Sequence, residues 1–164
     1  MAKTSFNEFL LAVAPEHRVF VEKLNDKLLE QGCELVIKEV KSGYTATYQL
    51  EKKTVMNWVF RKTGIWARIY GDNAGRYEEV IAALPADMQK KMTASRDCKR
   101  LIDPDACSGT CVKGFVYSLN GETQKKCRND GMLFLLTEET AEYIAGLICA
   151  EVAVRKPALQ QLNR

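Results

Sequence analysis

Four cysteines in one part of the chain are the residues whose type and spacing could do chemistry. Three of them lie in the segment RDCKRLIDPDACSGTCVKGF, residues 96–115, and the fourth follows at position 127. The set is Cys98, Cys107, Cys111 and Cys127. Thiolates bind metals, form disulfides and act as nucleophiles, so this segment is the first candidate site.

A predicted hairpin brings these thiols together. Asn120-Gly121 is typical of a two-residue type I′ turn, here joining GFVYSL to ETQKKC. Counting back along both strands from this turn sets Gly114 opposite Cys127. Cys111 comes three residues before Gly114, and a short Ser-Gly-Thr loop connects it to Cys107. Cys98 can return to the same point through the turn residues Asp-Pro.

Four converging thiolates are a ligand set that zinc prefers, in a tetrahedron with zinc–sulfur distances of about 2.3 Å. Such a site carries two net negative charges, which nearby basic residues can balance: Lys99, Arg100, Lys113, Lys125, Lys126 and Arg128. With all four positions filled by sulfur, no water can bind the metal and attack a substrate. The sequence therefore predicts a structural zinc, not a catalytic one.

The spacing also leaves alternatives open. Eight, three and fifteen residues separate the successive cysteines, which is not the pairing of two close CxxC motifs. Thiols packed as small apolar groups, disulfides and an iron–sulfur cluster remain alternative interpretations. Cys33 and Cys149 fall in apolar patterns elsewhere and are predicted core residues.

Aromatic residues form a second candidate site, for a small ligand. A three-residue turn, Lys62-Thr63-Gly64, is predicted to pair Trp58 with Arg68 and to bring Trp66 and Tyr70 onto the same face. Trp58 and Arg68 would then form a cation–π pair. His17, the only histidine, lies on an amphipathic helix and joins this set as a ligand-binding candidate.

Several classes of function are disfavoured by what the sequence lacks. It has no second histidine for a proton shuttle and no GxSxG nucleophile motif, and GDNAG lacks the lysine of a phosphate-binding loop. These absences argue against an enzyme. The net charge of +3 comes from scattered basic doublets with acids between them, which argues against nucleic-acid binding.

No apolar run approaches the roughly 20 residues that span a bilayer, so we expect no membrane partner. The short run at residues 9–14 is followed by Pro15, and does not fit a signal peptide. We therefore expect a cytoplasmic protein, with a small molecule or another protein as partner. The oligomeric state does not follow from the sequence.

The periodicity predicts the elements that position these residues. Helices are expected from Ser5, from Pro15 to about Gln31, over 76–84 and 86–94, and from Thr137 to about Arg155. Between them lie four β-branched or aromatic runs, then the hairpin and a short strand at GMLFLL. The predicted fold class is α+β: an antiparallel β-sheet meander with N-terminal and C-terminal helices packed on it.

The chain is predicted to form one domain over residues 1–157, because no linker or repeat interrupts it. A subdomain seam is expected near residue 95, with a cysteine-rich part over 96–130. The polar tail 158–164 is expected to fray.

FNEFL, the helix after it, the strand meander and YEEVIAALPADMQKKM together resemble the small uncharacterised bacterial α+β proteins of YdhG and YjbR type. The resemblance covers residues 5–95. The cysteine pattern that follows is similar to a C-terminal extension of some uncharacterised Firmicutes proteins. The resemblance implies a bacterial source and the fold class, and no catalytic residues.

The sequence thus predicts a bacterial cytoplasmic binding or regulatory module with a structural zinc site. The alternatives are a thiol-redox protein that uses the clustered cysteines and an enzyme that binds a small ligand in the aromatic cleft.

Overall fold

The computed structural model describes residues 5–103, 105 and 113–162, with side chains as far as residue 156. Its contacts divide the chain into two compact units. The first unit comprises the described residues up to Arg68 together with Phe134–Ala145. The second comprises Ile69–Leu133 and the described residues from Gly146 onward. Neither unit is one continuous stretch of chain.

Two helices open the first unit, and both begin where the sequence predicts. Helix α1 spans Phe6–Ala12, and the Ser5 hydroxyl accepts the Glu8 backbone N–H at 3.2 Å as its cap. Helix α2 spans Pro15–Glu30. Gly32 then ends it with a φ of +95°, which glycine adopts without strain.

One face of α2 is buried. Its apolar residues are Val21, Leu24 and Leu28, while Phe20 is half-buried. Positions 21, 24, 25 and 28 follow the three-and-four spacing of one helix face, so Asn25 is buried as well. The Tyr48 hydroxyl donates to the Asn25 side-chain oxygen at 2.8 Å, which satisfies this buried amide.

A five-stranded antiparallel sheet follows, in the order β1-β2-β3-β4-β7. Its strands are β1 Glu34–Val40, β2 Gly43–Leu50, β3 Lys53–Arg61, β4 Gly64–Ile69 and β7 Leu133–Leu135. The first four are consecutive neighbours, as a meander requires. The four predicted runs were residues 33–40, 44–50, 54–60 and 65–70. Phe9 of α1 packs on this sheet, with its ring 5.8 Å from that of Phe60.

The second unit holds the shorter helices and the hairpin. Helices α3, α4 and α5 span Glu78–Ala82, Ala86–Ala94 and Lys99–Ile102, and strands β5 and β6 span Phe115–Leu119 and Glu122–Lys126. Helix α3 is shorter than the predicted 76–84, because Ala74–Arg76 forms a separate 3-10 turn. Helix α5 was not predicted, since four residues are too few to show a period.

The last helix, α6, spans Ala141–Leu162. Before it, the Thr137 hydroxyl accepts the Thr140 N–H at 3.1 Å, and the Thr140 hydroxyl accepts the Thr137 N–H at 2.9 Å. These bonds fix the turn before the helix, which begins at Ala141, four residues after the predicted start at Thr137. The helix continues past the expected end at Arg155 and includes Pro157.

The α+β class, the antiparallel meander and the terminal helices are therefore confirmed. None of the described helices is both long and apolar enough to cross a membrane. The single domain over 1–157, the seam near 95, the cysteine-rich part 96–130 and the frayed tail 158–164 stay predictions.

Candidate functional site

The predicted hairpin that positions the cysteines has the expected register. Asn120 and Gly121 have φ values of 53° and 81°, as a type I′ turn requires. Leu119 lies opposite Glu122, and the ladder continues to the pair Phe115 and Lys126. Extended by one residue, this register would set Gly114 opposite Cys127, but the observed ladder ends at Phe115 and Lys126, so that pairing stays a prediction.

Gly114 is required at this point because backbone approaches it closely. A Cβ there would overlap the carbonyl oxygen of Lys126 and would lie 3.0 Å from the Cβ of Cys98. Only glycine lets the hairpin and the Cys98 segment approach this closely.

A short third segment pairs with the outer side of β6 and carries Cys98. Asp97 forms an antiparallel bridge with Lys126. The Cys98 N–H donates to the Lys125 carbonyl at 2.9 Å, and the Cys127 N–H donates to the Arg96 carbonyl at 2.8 Å. Cys98 and Cys127 are therefore diagonal neighbours on one face of this pairing, for which Cα separations are about 7–8 Å.

The surroundings of Cys98 favour its thiolate. The side chain is buried, and its Sγ accepts the Gly114 N–H at 3.3 Å. Burial by itself raises the pKa of this thiol, but backbone N–H groups of Gly114, Leu101 and Arg100, together with the Arg100 charge, lower it below its ordinary value. A lowered thiol pKa suits both a metal ligand and a nucleophile.

The other two predicted ligands, Cys107 and Cys111, lie outside the described residues. Within the described ranges no three histidine, cysteine, aspartate or glutamate side chains form a group that could hold a metal. Two of the four predicted ligands, Cys98 and Cys127, are thus brought together. Cys33 is buried and Cys149 is half-buried.

Lys126 is a positioning residue that the sequence did not reveal. Its side chain is 4% exposed. The ammonium donates to the Thr93 and Ser95 carbonyls at 2.7 and 3.0 Å and to the Asp97 carboxylate at 2.8 Å. All three donors are used, so Lys126 fastens the end of α4 and the Cys98 segment to the hairpin. The only sequence signal, a doublet of lysines, indicates exposure instead.

Among the basic residues expected to balance thiolate charge, Lys126 and Arg128 have acidic partners in the structure. Lys126 pairs with Asp97, and Arg128 donates to Asp72 at 3.0 Å. The guanidinium of Arg128 also lies 4.1 Å from the ring centroid of Tyr70. The Arg100 charge lowers the pKa of Cys98.

The predicted aromatic face is divided, because the β3–β4 turn has two residues instead of three. Strand β3 ends at Arg61 and β4 begins at Gly64. The guanidinium of Arg61 lies over the Trp66 ring at 5.7 Å, so these two side chains share a face of the sheet. Side chains alternate along a strand, so Trp58, three residues before Arg61, lies on the opposite face.

The remaining ligand-binding candidates lie in separate surroundings. Trp58 is fully buried and Arg68 is half-buried. Tyr70 belongs to the second unit, against Arg128. His17 lines a cavity of the first unit with Phe60 and Arg61. An open cleft that contains both tryptophans is therefore not formed, although the binding role of each residue stays a prediction.

Comparison with protein-family models, with curated proteins and with solved structures gave no match to this chain. The resemblance to the YdhG and YjbR type and to the Firmicutes extension stays a prediction.

Proposed function

We propose that residues 96–127 form a zinc site with the thiolates of Cys98, Cys107, Cys111 and Cys127 as ligands. In this proposal the protein is a cytoplasmic, non-catalytic binding or regulatory module of bacterial origin, and the zinc stabilises the fold of the cysteine segment. The observation that supports it most is the 3.3 Å contact between the Gly114 N–H and the Cys98 sulfur.

This contact brings the Gly114 backbone against the Cys98 sulfur. The Cys98 segment is also tied to the other described cysteine, because the Cys127 N–H donates to the Arg96 carbonyl at 2.8 Å. Cys111 precedes Gly114 by three residues, and three residues of chain span at most about 11 Å. The covalent chain therefore keeps Cys111 within reach of the other two sulfurs.

The chemistry of Cys98 supports the same proposal. A cysteine binds zinc as a thiolate, and metal binding must displace its proton. Backbone N–H groups aimed at the sulfur stabilise that thiolate before the metal arrives. Tetrahedral zinc places its sulfurs about 3.8 Å apart, which diagonal neighbours on two paired strands can meet.

The test is metal analysis of the full chain purified without added zinc, with a count of reactive thiols in denaturant. We expect one zinc per chain, retained by Cys149→Ser and lost from Cys98→Ser and Cys127→Ser. The cysteine at 149 is the matched control because it lies on α6, outside the proposed ligand set. Equal zinc content in all three variants, or no zinc in the wild-type chain with every thiol reduced, would contradict the proposal.

A thiol-redox function is the second candidate, and the lowered pKa of Cys98 favours it. In that case Cys98 and one other thiol lose two protons and two electrons to a small disulfide and form a protein disulfide. Titration of the metal-free chain in glutathione buffers measures this directly. Reversible oxidation at a mild potential, in a wild-type chain that purifies without zinc, would favour the redox function over the zinc site.

A further inference from the structure

A cavity in the first unit has no role in the proposed zinc site. Its volume is about 490 Å³, within the range of small-molecule pockets. Its walls come from the α1–α2 junction, the β3–β4 turn and the segment after β7. The large apolar lining residues, called the apolar floor below, are Phe60, Ile65, Leu135 and Leu136. The polar lining residues are Glu16, His17, Arg61, Thr63 and Thr137.

Arg61 is the group in this cavity that points to a ligand. Its side chain forms no ion pair or hydrogen bond with any of residues 5–103, 105 and 113–162. Its guanidinium lies over the Trp66 ring at 5.7 Å. A cation–π contact orients the guanidinium without using its N–H donors, which remain available for a carboxylate.

The β3–β4 turn fixes this arrangement. The indole N–H of Trp66 donates to the Thr63 hydroxyl oxygen at 2.9 Å. This bond anchors the ring beneath Arg61 and leaves the Thr63 hydroxyl proton free to donate. His17 lies in the first turn of α2 and adds a ring N–H, which an imidazole carries whether it is neutral or charged. Three kinds of donor therefore line one cavity.

The negative charge in the lining limits the charge of the ligand. Glu16 is exposed at this cavity, where it disfavours anions with more than one charge. The apolar floor favours a body that is aromatic or branched. We propose that this cavity binds a small monocarboxylate with an apolar body, with Arg61 as the carboxylate-binding residue and Thr63 and His17 as additional donors.

The test uses 2-naphthoate as the probe and the neutral 2-naphthalenemethanol as its matched analogue, with isothermal titration calorimetry and tryptophan emission of the full chain. We expect saturable binding of the acid that shifts the emission of Trp66, and binding at least tenfold weaker for the alcohol. Arg61→Gln should weaken acid binding at least tenfold and leave alcohol binding within twofold, because a bidentate charge-assisted contact is lost.

Lys62→Gln is the control. It removes the same charge at the next residue, whose side chain does not line the cavity. It should change acid affinity less than twofold. Ala12→Trp places a large side chain at an exposed position of the cavity lining, so it should block both probes. This variant tests the cavity even if Arg61→Gln alters the turn. No saturable binding of the acid, equal affinity for the two probes, or equal effects of the two charge variants would overturn the proposal. Zinc content is independent of each of these results.

Discussion

Two buried tyrosines show that burial has different consequences for residues of the same type. The Tyr48 hydroxyl donates to the buried Asn25 amide oxygen at 2.8 Å. The Tyr117 hydroxyl is also buried, but it has no hydrogen-bond partner among the described residues. One hydroxyl therefore satisfies a neighbour, and the other carries an uncompensated desolvation cost.

Replacing each tyrosine with phenylalanine should separate these cases. Tyr48→Phe leaves the Asn25 oxygen buried without its donor, so the free energy of unfolding should fall by about 1–3 kcal/mol. Tyr117→Phe removes a hydroxyl that gains nothing in the fold, so stability should stay the same or rise by about 1 kcal/mol. Denaturant unfolding measures both. A loss of more than 1 kcal/mol in Tyr117→Phe would show that its hydroxyl has a partner.

Alkaline pH provides a second readout for Tyr117. Burial raises the pKa of this phenol to about 12, against about 10 in an unfolded chain. Between these values the unfolded chain releases the proton and the folded chain keeps it, so the tyrosine's contribution to stability falls as the pH rises above 10. The phenylalanine variant should therefore lose less stability than wild type between pH 9 and pH 11.

At the scale of elements, the hairpin turns carry differing amounts of strain. The β5–β6 turn uses Asn120 and Gly121, which adopt positive φ at low cost. The β2–β3 turn uses Glu51 and Lys52, with φ values of 51° and 66°. For residues with a long side chain this conformation costs roughly 1–2 kcal/mol each.

The double substitution Glu51→Asn with Lys52→Gly should relieve this strain. Both new residues tolerate positive φ, so the free energy of unfolding should rise by about 1 kcal/mol, seen as a higher melting temperature. Lys62→Gly in the next hairpin is the control. Its φ is not positive, so glycine there should only add flexibility to the unfolded chain and lower stability slightly. A stabilising effect of Lys62→Gly would count against the argument.

At the scale of the whole molecule, the second unit depends on residues far apart in the chain. The Glu151 carboxylate is fully buried and accepts the Tyr77 hydroxyl at 2.7 Å and the Asn73 amide at 2.7 Å. It also accepts the Arg155 guanidinium at 2.7 Å. Arg155 in turn donates to the Tyr70 carbonyl at 3.0 Å. One turn of α6 thus provides hydrogen-bond partners for Tyr70, Asn73 and Tyr77.

Glu151→Gln should test how much this network contributes. The substitution keeps the shape but removes the buried one of the two carboxylates that pair with Arg155, the other being Asp72 at 3.3 Å, so stability should fall by about 3 kcal/mol. Glu142→Gln, on the same helix at an exposed position, should change it by less than 0.5 kcal/mol. Equal effects of the two substitutions in thermal and denaturant unfolding would show that the buried network contributes no net stability.

The sequence by itself determined the local structure of this protein. Ser5 marks a helix start, Gly32 follows a helix end, and Asn120-Gly121 sets the register that pairs Phe115 with Lys126. These features depend on residues close together in the chain, where capping, turn conformation and side-chain alternation act directly.

Only the tertiary structure decided which distant residues meet. A turn one residue shorter than expected put Trp58 and Trp66 on opposite faces, because side chains alternate along each strand. The charge of Lys126 is used inside the fold, and Glu151 meets Tyr77 across 74 residues. Such contacts depend on the packing of whole elements, which no local spacing in the sequence encodes.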